Sequence, residues 1–296
     1  MTETIESYLD ALKKELYGAD PALIQDALYD AEEYLRSEFG ALRSSRPEKS
    51  PQEALSEVIA KYGTASEIAQ EYRSAEARLS PGTSTVRPTH GRGLLARLFG
   101  VLADPAAYAA LFFMFFSLFT GIFYFTWAAI GLSLSLGLLV LVIGLPLFAL
   151  FLASVRGVSF LEGRFVEAML GVRMPRRPAM SRSEDGWIER IKRLFAERQT
   201  WTSMVYMFLM LPLGIVYFTL FTTLLSLALA FIVSPITRFG FHLPLLTING
   251  THYLFGAWAV PLLCLLGFLL IPMILHLSKA VGRVHGNLAK HMLVQV

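Results

Sequence analysis

The chain has 296 residues, 54% of them hydrophobic, and a mean hydropathy of +0.52. This composition excludes an ordinary soluble enzyme and is typical of a small membrane protein with a soluble appendage. The charge is unevenly divided, with a net −5 over residues 1–93 and a net +8 over residues 94–296, which predicts an acidic soluble part followed by a basic membrane part. The single cysteine, Cys264, excludes an internal disulfide and a cysteine-based metal site.

Residues 1–79, called the head here, follow the pattern of four short amphipathic helices. Apolar side chains recur at helical spacing in the first of them, and Asp20-Pro21 is a typical helix start. Two capping boxes, Ser50-Pro-Gln-Glu53 and Thr64-Ala-Ser-Glu67, open the last two helices. These signals predict an all-α soluble domain. Because its core is small, we expect a partner or the membrane part to help stabilise it.

Two stretches of the head carry a family resemblance. Tyr29-Asp-Ala-Glu-Glu-Tyr34 and Lys61-Tyr-Gly-Thr-Ala-Ser-Glu-Ile-Ala-Gln-Glu-Tyr72 resemble the HAAS domain, a helical signalling module related to the DUF1700 family. The likeness covers most of residues 1–75, although a helix C-cap followed by a capping box would select the same residues for structural reasons alone. It implies that a PadR-type winged-helix repressor is the cytoplasmic partner. The candidate contact residues are Tyr29, Glu32, Glu33, Tyr34, Glu67, Glu71 and Tyr72.

Residues 80–94 are rich in Pro, Gly, Ser and Thr and are predicted to form a flexible linker. Residues 105–155 then contain no Asp, Glu, Lys, Arg or His. As one helix they would extend roughly 75 Å, whereas the hydrocarbon core of a bilayer is about 30 Å thick. Two spans are therefore predicted, with a reversal near Trp127–Ser133 and the second span over Leu134–Leu152. The third and fourth predicted spans are Met204–Leu229 and Ala257–Leu275.

A basic segment, residues 156–200, separates the two pairs of spans and holds 10 Lys/Arg against 6 Asp/Glu. Its apolar residues fall into two helical stripes, which predicts two helices lying on the inner membrane surface. A charged cytoplasmic loop without membrane contact is the alternative. The tail after His276 is also amphipathic, and its predicted apolar face is Leu277, Val281, Val284, Leu288 and Met292. The basic residues expected at the membrane surface are Arg164, Arg173, Arg176, Arg177, Arg190, Lys192, Arg193 and Arg283.

The membrane part, residues 95–296, shows an internal duplication. Thr120-Gly-Ile-Phe-Tyr-Phe-Thr126 aligns with Leu213-Gly-Ile-Val-Tyr-Phe-Thr219 at an offset of 93 residues. Two copies, residues 95–172 and 190–296 approximately, are predicted, each with two spans and one surface helix. Small residues let helix backbones approach closely in a membrane. The residues predicted to occupy equivalent span-packing positions are Gly121, Tyr124, Gly214 and Tyr217.

This duplicated part resembles the four-span sensor domain found ahead of some bacterial histidine kinases. The likeness covers roughly residues 95–295 and is carried by Leu211-Pro-Leu-Gly-Ile-Val-Tyr-Phe218 and by Leu161-Glu-Gly-Arg164 with Met169-Leu-Gly-Val172. The sequence departs from that arrangement because it contains no kinase dimerisation helices or ATP-binding domain. We therefore expect the signal to leave through the head.

No motif of a nucleotide-binding loop, a zinc protease or a serine hydrolase is present. His242 and His252 flank the predicted outer loop, but without a carboxylate there they would make a poor metal site. Four prolines in the predicted spans either kink them and open an apolar cavity or cause local bending that packing absorbs. No charged residue lies within the predicted spans, which argues against an ion or proton transporter.

The sequence thus predicts an all-α, multi-pass protein of the bacterial inner membrane. Because Lys and Arg collect at residues 156–198 and 279–290, both termini are expected in the cytoplasm. The favoured function is a non-enzymatic sensor without cofactor, metal or direct nucleic-acid binding; whether it forms a homo-oligomer is left open. The alternatives are a transporter or export accessory for a lipid-like substrate and, less favoured, a membrane-bound enzyme.

Overall fold

The computed structural model of the protein describes residues 4–79, 94–138, 144–176, 192, 194–241, 246–248, 251–253 and 258–294. Helices dominate them, which confirms the all-α class. The chain forms two compact units. The first, the head unit, comprises Met1–His90, Arg173–Gln199 and Leu293–Val296; the second, the span unit, comprises Gly91–Val172 and Thr200–Met292. The predicted linker lies outside the described residues except for Leu94.

The head contains α1 (Ile5–Glu15), α2 (Pro21–Ser45), α3 (Pro51–Tyr62) and α4 (Ala65–Leu79). The predicted capping boxes form. At α3, the Ser50 hydroxyl accepts the Glu53 N–H at 3.2 Å, and the Glu53 carboxylate accepts the Ser50 N–H at 3.2 Å. Gly63 ends α3 with a φ of 115°, a backbone conformation that side-chain-bearing residues rarely adopt. Local capping therefore sets both ends of α3.

The core of the head is one cluster contributed by all four helices. It contains the stripe predicted for the first helix, because Leu12 and Leu16 are fully buried and Ile5 and Leu9 pack against them. Tyr8 reaches across from α1 and donates a hydrogen bond from its hydroxyl to the Gly63 carbonyl at 2.9 Å. The other buried members are Ile24, Ala27, Ala31, Leu35, Val58, Ile68 and Ala69.

The span unit begins with α5 (Leu94–Gly100) and a 3₁₀ turn (Val101–Ala103). It continues with α6 (Pro105–Gly137), α7 (Gly144–Leu170), α8 (Arg198–Pro235) and α9 (Ala259–Leu293). The last four are long and apolar enough to cross a membrane, so the protein is a multi-pass membrane protein. A π-helix (Ile236–Gly240) extends α8. Between α8 and α9, β1 (Leu246–Ile248) and β2 (Thr251–Tyr253) pair antiparallel, with Thr247 opposite His252.

The predicted reversal near Trp127–Ser133 is wrong. Helix α6 continues to Gly137, and α7 begins only at Gly144, so the second span is not Leu134–Leu152. Gly131 does not break the helix because it is a packing position: a Cβ there would lie 2.2 Å from the Phe151 ring. An isolated glycine inside a helix costs only about 1 kcal/mol, which such packing can offset.

The first predicted surface helix does not exist as a separate element. Residues 156–170 belong to α7, which runs unbroken through the predicted membrane boundary. The tail after His276 likewise continues α9 to Leu293. The second predicted surface helix lies largely outside the described residues, although Lys192 and residues 194–196 are helical.

The predicted apolar face of the tail is not the face that packs most tightly within the span unit: Val284 is 70% exposed, and Leu277, Val281, Leu288 and Met292 are half-buried. The buried face of α9 carries small and polar residues instead. In a membrane the lipid-facing side is apolar and helix contacts favour small residues, so the rule that applies to soluble helices is reversed. The buried residues of this face are Leu275, Ser278, Gly282, His285, Gly286, Ala289 and Leu293.

The four predicted span prolines have two different positions. Pro146 and Pro261 lie in the first turns of α7 and α9, where the missing N–H breaks no hydrogen bond within the helix. Pro212 and Pro272 lie inside α8 and α9. Only the latter two are therefore placed to bend a span.

Candidate functional site

Five polar side chains form a continuous hydrogen-bonded chain inside the span unit, with members on all four long helices. The Glu162 carboxyl of α7 accepts the Tyr124 hydroxyl at 2.6 Å on Oε2 and the Tyr206 hydroxyl at 2.9 Å on Oε1. The Tyr206 oxygen lies 3.1 Å from Nε2 of His285, and Nδ1 of His285 lies 3.3 Å from the Tyr217 oxygen. We call this set the buried polar chain.

The buried polar chain is shielded from the surface of the span unit. Glu162 is 1% exposed, Tyr206 1% and His285 0%. Phe113 of α6 packs against the His285 ring, with centroids 5.0 Å apart. A carboxyl group buried in this way is costly unless hydrogen bonds or a counter-charge compensate it, and here two tyrosine hydroxyls supply hydrogen bonds. Such intramembrane groups are usually functional.

Close helix packing positions these side chains. A Cβ at Gly121 of α6 would lie 2.6 Å from the Met210 carbonyl oxygen of α8, and a Cβ at Gly214 would lie 2.5 Å from the Ser117 carbonyl oxygen of α6. The two glycines paired by the sequence offset therefore lie in a reciprocal contact between α6 and α8. One turn from each glycine, Tyr124 and Tyr217 extend to the two ends of the buried polar chain.

Of the five residues of the buried polar chain, the sequence analysis named Tyr124 and Tyr217, as span-packing residues, and did not select the other three for this site. Glu162 was assigned to a surface helix, so the statement that no span carries a charged residue is wrong. Tyr206 and His285 were not selected. A usable signal is present for His285, since Gly282 precedes it by one turn and Gly286 follows it, as expected for a helix face that a neighbour approaches closely.

A second polar site lies within the head unit. Residues 173–176 follow α7 in the sequence but belong to the same compact unit as the head. Asp26 of α2 is buried, and its Oδ1 accepts the backbone N–H of Arg176 at 2.8 Å. Its Oδ2 lies 3.8 Å from the Arg173 guanidinium, which also donates to Glu76 at 3.2 Å. We call this arrangement the Asp26 contact.

Burial dominates the electrostatics of the Asp26 contact. It raises the pKa of the Asp26 carboxyl, although the N–H of Arg176 and the positive charge of Arg173 act in the opposite direction. Met174, between the two arginines, is 1% exposed. Segment 173–176 is thus held by buried apolar and polar contacts together, and not by surface charge alone.

The partner-contact candidates of the head are divided between internal and surface positions. The Tyr72 hydroxyl donates to Asp30 at 2.7 Å, and the Tyr34 ring stacks on Tyr62 with centroids 4.7 Å apart. Burial raises the pKa of Tyr72, and it raises that of Tyr62 to about 12. Internal contacts are also made by Glu32, with Arg36, and by Glu67, with Thr64. Tyr29 is partly buried, and the exposed candidates are Glu33, Glu67 and Glu71.

The basic residues expected at the membrane surface do not form one group. Arg164 is exposed on α7 and bonds Glu167, whereas Arg173 and Arg176 belong to the Asp26 contact. Arg283 is exposed on α9, and Lys192 is exposed as well. The candidates that lie outside the described residues are Arg177, Arg190 and Arg193; the same holds for His242 and for the side chain of His252.

An apolar groove of about 810 Å³ opens between α6 and α7. Phe123, Trp127 and Phe151 line it, and the Trp127 ring N–H donates to the Ser154 hydroxyl at 3.1 Å at its edge. Neither Pro212 nor Pro272 is among its lining residues. Its position on two membrane-spanning helices suits contact with lipid chains.

Comparison with known proteins gives one match. The model of the Sensor family, described as "Putative sensor", matches residues 113–293, which is more than half of the chain. No curated protein matches the chain, and no solved structure does. The matched range contains all four long helices apart from the first turns of α6, and the whole buried polar chain. The chain therefore belongs to the Sensor family.

Proposed function

We propose that the protein is a bacterial inner-membrane sensor that relays a membrane or envelope stimulus through the head to a cytoplasmic partner. The HAAS resemblance makes a PadR-type winged-helix regulator the favoured partner. Family membership and the four spans support the sensor function. No catalytic role is proposed for any residue.

The observation that carries the relay is the Asp26 contact. Helix α7 bears Glu162 of the buried polar chain, and the segment that leaves its C-terminal end supplies Arg173 and Arg176 to Asp26. A change in the position of α7 is thereby transmitted through the covalent chain to residues that the head binds. Two states follow: the segment bound to the head, or released so that the head is free for a partner.

Release of the segment is expected to strengthen binding of the regulator. In Arg173→Glu, a negative charge faces Asp26 and Glu76, so we expect the regulator to bind the full-length protein about tenfold more tightly, which corresponds to about 1.4 kcal/mol. The expected change in affinity is small because the Arg173–Asp26 pair is partly exposed and solvent screens it. The measurement is binding of the purified regulator to the protein in lipid nanodiscs.

Arg164→Glu is the matched control, because it makes the same charge change on α7 outside the Asp26 contact. It should leave regulator affinity unchanged. Added salt should reduce the difference in regulator affinity between wild type and Arg173→Glu, because charges near a surface are screened over about 8 Å at physiological salt. Equal affinity of wild type and Arg173→Glu, or no binding by either, would contradict the relay.

The proposed topology is tested with reporter fusions. Fusions after Gly186 and after Val296 should report a cytoplasmic location, and an insertion near Asn249 should report an external one, because Lys and Arg are retained inside. An external C-terminus would rule out the orientation. With four spans, it would also place the head outside and the cytoplasmic regulator on the opposite side of the membrane.

A transporter or export accessory for a hydrophobic substrate is the second candidate. The sequence argument against transport was the absence of charge in the spans, and Glu162 removes that argument. Transport predicts that the purified protein in liposomes moves a proton or a lipid-like substrate across the bilayer. A sensor predicts no flux in the same assay and a change in regulator binding instead.

A further inference from the structure

The geometry points to the buried polar chain as a proton-binding site, so that the stimulus read by the span unit is the proton. This inference rests on the proposed function only in one respect, namely that proton binding changes how the head binds the regulator. The proton site itself is defined by five side chains of the span unit and is tested separately from the head.

The hydrogen-bond pattern can be counted proton by proton. With Glu162 as a carboxylate and His285 neutral with its proton on Nε2, every contact has one donor. The Tyr217 hydroxyl donates to Nδ1, Nε2–H donates to the Tyr206 oxygen, and the hydroxyls of Tyr206 and Tyr124 donate to the two oxygens of Glu162. This arrangement satisfies all four observed contacts.

One added proton changes this pattern at a defined place. If the proton binds Nδ1 of His285, the Tyr217 oxygen must become the acceptor. If Nε2 then passes its proton to Tyr206, and Tyr206 passes its own to Glu162, the imidazole is neutral and the carboxyl is protonated. Both products contain the same number of protons. In both, the Tyr217 hydroxyl has changed from donor to acceptor and its own hydrogen needs a new partner.

The charge of the buried polar chain changes in the same step. Before proton uptake it carries one negative charge on Glu162, and its hydrogen-bond partners are neutral hydroxyls. After uptake it is neutral overall, either as an imidazolium–carboxylate pair or as two neutral groups. Burial makes such a change in charge a large perturbation of helix packing, which is the property that a sensor needs.

Titratable groups from each long helix face this site: Tyr124 from α6, Glu162 from α7, Tyr206 and Tyr217 from α8, and His285 from α9. Four further charged groups of the long helices have contacts outside this site. Arg156 bonds Thr200, Arg164 bonds Glu167, Lys279 bonds Asp104, and Arg283 bonds the Lys279 carbonyl. Substitutions in the buried polar chain can therefore change its proton uptake without removing any of these four contacts.

Infrared difference spectroscopy of the full-length protein in nanodiscs tests the site. Between about pH 8 and about pH 4, a range that includes ordinary His and Glu titration, wild type should gain a carboxylic acid or an imidazolium band. Because other carboxyl and imidazole groups of the protein also gain protons in this range, the site is measured as the difference between wild-type and variant spectra: Glu162→Gln should remove one carboxylic acid band, or His285→Gln one imidazolium band. Glu167→Gln, on the same helix but partly exposed and paired with Arg164, is the matched control and should retain the bands that depend on Glu162 and His285.

Tyr206→Phe tests whether the two groups titrate as one unit, because it deletes the link between them. The midpoint of the band should move by about one pH unit or more, which is the scale of coupling for interacting sites. A spectrum unaffected by both Glu162→Gln and His285→Gln overturns the proton site, whatever the regulator does. A titrating band that depends on Glu162 or His285, together with regulator affinity that is the same at both pH values, retains the proton site and overturns the relay.

Discussion

Replacing Gly121 or Gly214 by leucine is expected to destabilise the span unit strongly and by similar amounts. Any Cβ at these positions would lie 2.5–2.6 Å from a backbone carbonyl oxygen of the facing helix. A backbone atom cannot rotate away as a side chain can, so α6 and α8 must separate. Overpacking typically costs about 1–3 kcal/mol, and we expect the upper end of that range here, measured as a lowered melting temperature in detergent micelles.

Gly157→Leu is the control for the two glycine variants. Gly157 is exposed on α7, and a Cβ there would have no atom within 4 Å, so its replacement should leave the melting temperature unchanged or slightly higher. Comparable losses for Gly121→Leu and Gly214→Leu would support equivalent positions in two copies. A silent variant at one glycine and an unfolded protein at the other would refute that equivalence.

Tyr206→Ala should also have a large effect. Tyr206 is among the largest fully buried side chains, and removing a buried aromatic ring costs about 3–5 kcal/mol. It also deprives Glu162 and His285 of their common partner. We expect a lower melting temperature in micelles than for Tyr108→Ala, which removes a ring of the same kind from an exposed position on α6.

Tyr206→Phe separates the ring from the hydroxyl. It keeps most of the packing, so its cost should be limited to that of hydrogen bonds between membrane helices, about 0.6–1.7 kcal/mol. A Phe variant as unstable as the Ala variant would mean that the hydroxyl, and not the ring, holds the helices together. A Phe variant as stable as wild type would show that the two hydrogen bonds of the Tyr206 hydroxyl contribute nothing to stability.

Features encoded locally were predicted well from the sequence. The Ser50–Glu53 and Thr64–Glu67 boxes form as expected because each requires only residues within one helical turn. The existence of four spans was also predictable, since an uncharged stretch longer than the bilayer leaves few alternatives. The ends of the spans were not, because α7 and α9 continue beyond the apolar segment into residues with ordinary helix propensity.

The buried polar chain was not predictable in the same way. Apolar periodicity placed Glu162 on a helix at the membrane surface, whereas the structure buries it between helices; it placed Val284 on an apolar face, and that side chain is exposed. Periodicity identifies a helix face, but it does not say whether lipid or protein covers that face. Only the positions of Tyr124 and Tyr206 on neighbouring helices explain how a carboxyl group is accommodated there. These positions depend on how the helices pack together, which the periodicity of one helix does not report.

The buried polar chain also bears on how a duplicated gene could acquire it. At the 93-residue offset, Tyr206 of the second copy corresponds to Phe113 of the first, and both rings contact His285. Glu162 comes from the first copy and His285 from the second. Two identical copies would repeat the same residues on both sides and could not produce this order of groups. Under the predicted duplication, the Glu162–Tyr206–His285 link therefore draws on both copies and is not a property of either one.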